Sequence, residues 1–123
     1  DMLQQRGLLK NFHVKSFNLE RLKMAYSVLG TEIDGYTYDI GTWNDSLIDD
    51  LLVSGIDNRA CRVGMEIKFA DYTEQIAASI RNAGFFAAAW NIKRRDFEEY
   101  EKLMSWGVTE FTEDYHCSMG LNY

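Results

Sequence analysis

The sequence predicts an α/β fold of parallel strands covered by helices, and three observations carry that prediction. Four amphipathic helical stretches each run into a glycine, at Gly30, Gly55, Gly84 and Gly107. Short strand-like runs lie before and between them. The order is strand–helix four times, closed by a fifth strand, and repeats of this kind require right-handed crossovers that build a parallel sheet.

The elements follow in chain order. The opening "DMLQQRGLL" reads as the tail of a helix, and "FHVKSF" is the first strand. "NLERLKMAYSVLG" begins with Asn18 as N-cap, sets Leu19, Leu22, Tyr26 and Leu29 on one face, and ends where Gly30 suits a left-handed C-cap. "IDGYTY" is the second strand. "NDSLIDDLLVSG" repeats the helical plan with Leu47, Ile48, Leu51 and Leu52 apolar. "RVGMEIKF" is the third strand, and "DYTEQIAASIRNAG" follows with a capping box between Asp71 and Glu74 and an apolar face of Ile76, Ala77 and Ile80. "FFAAAW" is the fourth strand. "DFEEYEKLMSWG" pairs Asp96 with Glu99 and presents Phe97, Tyr100, Leu103 and Met104, before "VTEFT" closes the series.

Two architectures accommodate five parallel strands. One is the last five strands of a (β/α)8 TIM-type barrel, which needs about 250 residues in all; the alternative is a complete five-stranded doubly wound sheet, which uses about 120. The start at Asp1 and the helix-like lead predict strands upstream. The 123 residues, 46% of them hydrophobic, form one unit over positions 1–123 with no linker or low-complexity break. There is no proline, so glycine alone punctuates the chain.

Charge narrows the function classes. The net charge is −6, and Lys93, Arg94 and Arg95 form the only basic run, a surface that repels nucleic-acid backbones. The longest apolar run, Phe85 to Trp90, falls far short of the roughly 20 residues that span a bilayer. Cys61 and Cys117 fit no metal or redox spacing and read as free thiols. No P-loop, G-x-G-x-x-G, H-E-x-x-H or G-x-S-x-G is present.

In either architecture chemistry gathers at the carboxyl ends of the strands. Those ends carry Ser16 and Asn18, Tyr38 and Asp39, Glu66 and Lys68, Trp90 and Asn91, and Thr112 to Asp114. On "VGMEIKF", Met65, Ile67 and Phe69 share one face while Glu66 and Lys68 share the other. In a barrel the outer face lies under helices, so Glu66 and Lys68 would point into the lumen; on an edge strand they would be a solvated pair. Trp90 is either a pocket wall or a plug of the core. His13, at an amino end, reads as structural, and Trp43 and Trp106 carry no functional reading. His116 and Cys117 are adjacent in sequence, which does not give a Cys–His nucleophile its geometry. Asp34, Asp39, Asp45, Asp49 and Asp50 read mainly as loop and solvated helix face. A response-regulator sheet would want an acidic pair after the first strand, where the sequence has Ser16-Phe17-Asn18.

The stretch "FFAAAWNIKRRDFEEYEKLMSWGVTEFTED" resembles the closing segment of glycerophosphodiester phosphodiesterases. That family has a strand ending Trp-Thr-Val-Asn, an acidic helix, then Gly-Val-Asp and a strand ending Thr-Asp. Trp90-Asn91-Ile92, Gly107-Val108-Thr109 and Thr112 with Glu113 or Asp114 stand in those places. Upstream, Ser16, Phe17, Leu19 and Leu22 are similar to the family's Ser-Phe strand and following helix, and "IDGYTY" and "VGMEIKFADYTEQIAASIRNAG" continue the match in order.

The resemblance implies a (β/α)8 barrel represented by its last five strands. It also implies hydrolysis of glycerol-linked phosphodiesters by histidine acid–base catalysis, with a divalent metal, Mg or Ca, on the phosphate. The family's His-Arg, Glu-x-Asp and second catalytic histidine would lie upstream, so no catalytic residue and no metal ligand is assigned in this segment. Its Glu-x-Lys strand immediately precedes the Ser-Phe strand. Glu66-Ile67-Lys68 comes two strands later and is not that motif by order. Trp90 carries over as a wall against the glycerol moiety; Ala88 and Lys93 depart from the family pattern. The substrate-binding candidates are therefore Trp90, Glu66, Lys68 and Ser16. The expected partners are a small glycerophosphodiester and the missing barrel half or a partner chain. The alternative is a non-catalytic binding or structural module derived from the same barrel.

Overall fold

The computed structural model describes residues 9–91 and 97–113. Five strands, β1 (His13–Ser16), β2 (Gly35–Asp39), β3 (Arg62–Lys68), β4 (Phe86–Asn91) and β5 (Val108–Glu113), alternate with four helices, α1 (Leu19–Leu29), α2 (Leu47–Leu52), α3 (Glu74–Asn82) and α4 (Phe97–Ser105). All five strands pair in parallel, in the order β1-β2-β3-β4-β5.

That order overturns the doubly wound alternative. A doubly wound sheet reverses direction at a switch point and places helices on both faces. Here each strand lies beside its predecessor, so successive right-handed crossovers put every helix on the same face, as in a barrel.

The local signals explain most of the element ends. The Asn18 side chain accepts a hydrogen bond from the Arg21 amide and starts α1. Gly30 ends it at φ 58 and ψ −137, outside the left-handed helical region expected of it and in a region that only glycine enters freely. At α3 the N-cap is Thr73, whose hydroxyl accepts from the Ile76 amide at 3.1 Å. Asp71 ends a preceding 3-10 turn instead of opening the capping box expected with Glu74. The expected pairing of Asp96 with Glu99 lies outside the described residues, as do most of the leading helix and the tail bearing His116 and Cys117.

The hydrophobic core lies between the sheet's outer face and the helices. Met65 and Ile67 of β3, Tyr36 of β2, Ala87 and Ala89 of β4 and Val108 of β5 meet Leu22, Leu51, Ala77, Ile80 and Leu103 from the helices. Each fully buried Leu or Ile in this layer contributes about 1.5–3 kcal/mol of transfer free energy. The helical faces are narrower than expected, because Leu52, Phe97 and Met104, each assigned to a core-facing set, are exposed.

The sheet is rolled. β1 and β5 stand at opposite ends of the strand order, yet Lys15 Nζ donates to Thr112 Oγ1 at 3.3 Å. Lower down, the rings of His13 on β1 and Phe86 on β4 lie 6.0 Å apart. A flat sheet cannot bring those side chains together, since neighbouring strands alone are about 4.8 Å apart. The concave face is therefore the wall of a lumen.

Candidate functional site

Strand register lists what the lumen wall presents. In parallel strands, paired residues point to the same face. Lys15 pairs with Thr37, Asp39 with Glu66, Glu66 with Ala88, Lys68 with Trp90, and Trp90 with Thr112. His13, Arg62, Gly64, Phe86 and Glu110 share that face nearer the amino ends.

At the amino end the groups hold one another. His13 Nδ1 donates to Asp34 Oδ2 at 2.8 Å, and Nε2 is hydrogen-bonded with the Thr37 hydroxyl at 2.5 Å. Arg62 bridges Asp34 and Glu110 and lies over the Phe86 ring, 4.9 Å from its centre. The geometry gives His13 the structural part expected of it. Asp34 is an ion-pair partner in this network, not a solvated loop residue.

At the carboxyl end a mixed cluster forms around Glu66, which is only 4% exposed. Its Oε2 accepts from Lys15 Nζ at 3.4 Å and from Thr112 Oγ1 at 3.0 Å, so three strands converge on one carboxylate. Asp39 lies beside it on β2. Burial, then the hydrogen bond and charge of Glu66, push the Asp39 carboxyl up to about 7, against a smaller opposing pull from Lys15. Asp39 thus departs from the solvated reading. Lys68, two residues on from Glu66, sets its ammonium 5.6 Å from the centre of the Trp90 ring.

Two buried polar atoms in this region have no partner among the described residues: Asp39 Oδ1 and Trp90 Nε1. Each is strongly disfavoured when left unpaired, so each is a natural contact for water or ligand. Tyr72, from the turn after β3, donates to the Ala88 carbonyl at 2.7 Å, and its phenol is raised well above its usual range by burial and by Glu66. It is a fixed donor, not an acid at neutral pH.

The structure brings Trp90, Glu66 and Lys68 to one face and separates Ser16 from them. Ser16 has the parity of the apolar Val14, and its hydroxyl accepts the Asn18 amide at 3.0 Å in the turn before α1. Glu66 is on a central strand and buried, so the solvated edge-strand reading does not hold for it. Trp90 stands outside the hydrophobic core, against which Trp43 and Trp106 do pack. The lumen residue that sequence reasoning missed is Lys15. Strand parity was the available signal: Lys15 alternates with Val14, as Glu66 alternates with Met65 and Ile67.

The residues present do not fit a divalent metal on their own. Among the described residues no group of three or more His, Cys, Asp or Glu could hold one. The carboxylates of this cluster are accompanied by lysines, which compete with a cation for them.

Comparison with known proteins adds to this geometry. No protein-family model matches the chain, and no curated protein does. Among solved structures, one assigned as a glycerophosphodiester phosphodiesterase from Galdieria sulphuraria aligns with TM-score 0.67 at 16% identity, over 84% of this chain and 40% of its own. A second, assigned as a glycerophosphoryl diester phosphodiesterase from Silicibacter pomeroyi DSS-3, aligns with TM-score 0.62 at 16% identity, over 81% of this chain and 33% of its own. The fold is thus that of part of a TIM barrel, shared with these two structures. The chain spans well under half the length of either.

Proposed function

We propose that this chain is the carboxyl-terminal part of a glycerophosphodiester phosphodiesterase-like hydrolase, and that its lumen cluster binds the substrate phosphodiester. The observation that carries the reading is the convergence of Lys15, Lys68 and Trp90 on the concave face, at the carboxyl ends of the strands, in a fold shared with structures assigned to that activity. Two ammonium groups draw the phosphate; the indole supplies an apolar face and an N–H for the glycerol moiety. The sequence resemblance supports the same reading and gives the catalytic histidines and the divalent metal, Mg or Ca, to upstream strands. That metal would polarise the phosphoryl oxygens, while the residues of this chain bind and orient the substrate.

The test is metal-dependent hydrolysis of a glycerophosphodiester by the protein that includes the upstream strands, set beside the 123-residue segment. Activity in the longer protein and none in the segment is the expected result. Metal-dependent hydrolysis by the segment alone would overturn the division of labour.

A second reading is a non-catalytic binding or structural module derived from this barrel. A longer protein that binds a glycerophosphodiester without cleaving it would establish that reading.

A further inference from the structure

A second concavity lies at the opposite end of the sheet from the lumen cluster. It opens beneath the amino ends of β2, β3 and β4 and has a volume of about 560 Å3. Its lining holds three cationic side chains, Lys10, Arg59 and Arg62, against one carboxylate, Asp34. The cations come from separate segments: Lys10 precedes β1, Arg59 lies in the loop between α2 and β3, and Arg62 opens β3. Folding gathers them in a chain whose net charge is −6.

The carboxylate of the lining is already engaged, while two of the cations keep donors in reserve. Asp34 accepts from His13 Nδ1 and pairs with Arg62, which also reaches Glu110 and lies over the Phe86 ring. Arg59 turns its Nε to Asp57 at 3.2 Å, and its two terminal nitrogens have no partner among the described residues. Lys10 makes one long contact, 3.5 Å to the Thr31 carbonyl. A guanidinium fork can grip an oxyanion through two parallel hydrogen bonds, and an ammonium beside it adds a point charge.

We propose that this concavity is an oxyanion site, separate from the lumen cluster, that holds a phosphate group between Arg59 and Lys10, with Arg62 adding positive charge. None of Glu66, Lys68 and Trp90 lines it, so it stands apart from the phosphodiester reading above. A phosphate held there joins the segment before β1 to the loop before β3. Because it binds only the folded arrangement of those segments, it stabilises the fold by mass action. The concavity is larger than an inorganic ion requires, and the Phe86 ring offers an apolar surface to an organic group carried by the phosphate.

Cys61 lines the same concavity and is half-buried, so its alkylation reports occupancy. In the intact protein, iodoacetamide labelling of Cys61 is followed by peptide mass spectrometry in the presence of inorganic phosphate. Labelling should slow about tenfold when phosphate reaches about ten times its Kd, and Tm should rise over the same range. Sodium chloride at matched ionic strength should do neither. Replacing both Lys10 and Arg59 by alanine should abolish the protection. Both side chains are exposed, so the melt without phosphate should stay as in the wild type. Lys68→Met, which alters the lumen, should leave the protection intact.

Phenyl phosphate separates two sources of the phosphate. Protection at a lower concentration than inorganic phosphate needs would assign the site to a phosphate bearing an organic group; protection at equal concentration would assign it to the free ion. Cys61 labelling unchanged by either probe would overturn the proposal. Protection that sodium chloride reproduces, or that persists in the double alanine variant, would overturn it as well. Each of these failures would leave the phosphodiester reading of the lumen standing.

Discussion

Asp39 shows how a single residue changes character with its surroundings. Its carboxyl moves from the usual 3.8 to about 7 because it is half-buried beside Glu66. Between those values the unfolded chain has released the proton and the native chain has kept it, so native stability falls as pH climbs through this window. Asp39→Asn should flatten that dependence and raise stability at pH 8 by on the order of 2 kcal/mol, read from thermal melts across pH. Trp90 belongs to the same scale. Because it stands outside the core, Trp90→Ala in the intact protein should raise KM for a glycerophosphodiester strongly, roughly tenfold or more, and leave Tm nearly unchanged. A large drop in Tm with unaltered kinetics would make it a structural plug. Gly64 is a third case: a Cβ there would run into the ring of Phe86, which Arg62 already covers. Gly64→Ala should therefore cost about 2 kcal/mol, measured by denaturant unfolding.

Among the elements, α3 shows where local sequence signals mislead. Asp71 and Glu74 have the spacing of a capping box, but the chain spends Phe69–Asp71 in a 3-10 turn and caps α3 two residues later, with Thr73. The turn is anchored by burial: Phe69 and Tyr72 both enter the core cluster, and that fixes where the helix can start. Thr73→Ala should then lower stability by about 1 kcal/mol, and Asp71→Ala by much less, in paired thermal melts. Outer helical faces were also over-assigned. Phe97 and Met104 have helical spacing with Tyr100, yet both are exposed while Leu103 is buried. Apolar periodicity marks a face without stating how much of it a neighbour covers.

For the whole molecule, the decisive feature is curvature. Five strands roll far enough for Lys15 on one edge to touch Thr112 on the other, while β1 and β5 each have an unpaired side among the described residues. Open edges of this kind invite pairing with further strands. The 123-residue chain in isolation should therefore self-associate with rising concentration, by analytical ultracentrifugation, and adding a segment that carries the upstream strands should suppress that association and raise Tm. A monomeric, cooperatively melting chain at high concentration would show that these edges need no partner.

The alternation of strand-like and helical runs, the glycines that end the helices, the N-cap Asn18 and the shared face of Glu66 and Lys68 were all determined by the sequence alone, because each depends on residues only a few positions apart. The tertiary structure decided what depends on distance along the chain. It set the strand order that excludes a doubly wound sheet, and the rolling that joins Lys15, Glu66 and Thr112, whose partners lie 51, 97 and 46 positions apart. It also placed Asp39 beside Glu66. Local periodicity reports which face a side chain takes; only closure of the sheet determines which faces meet, and here that meeting makes the site.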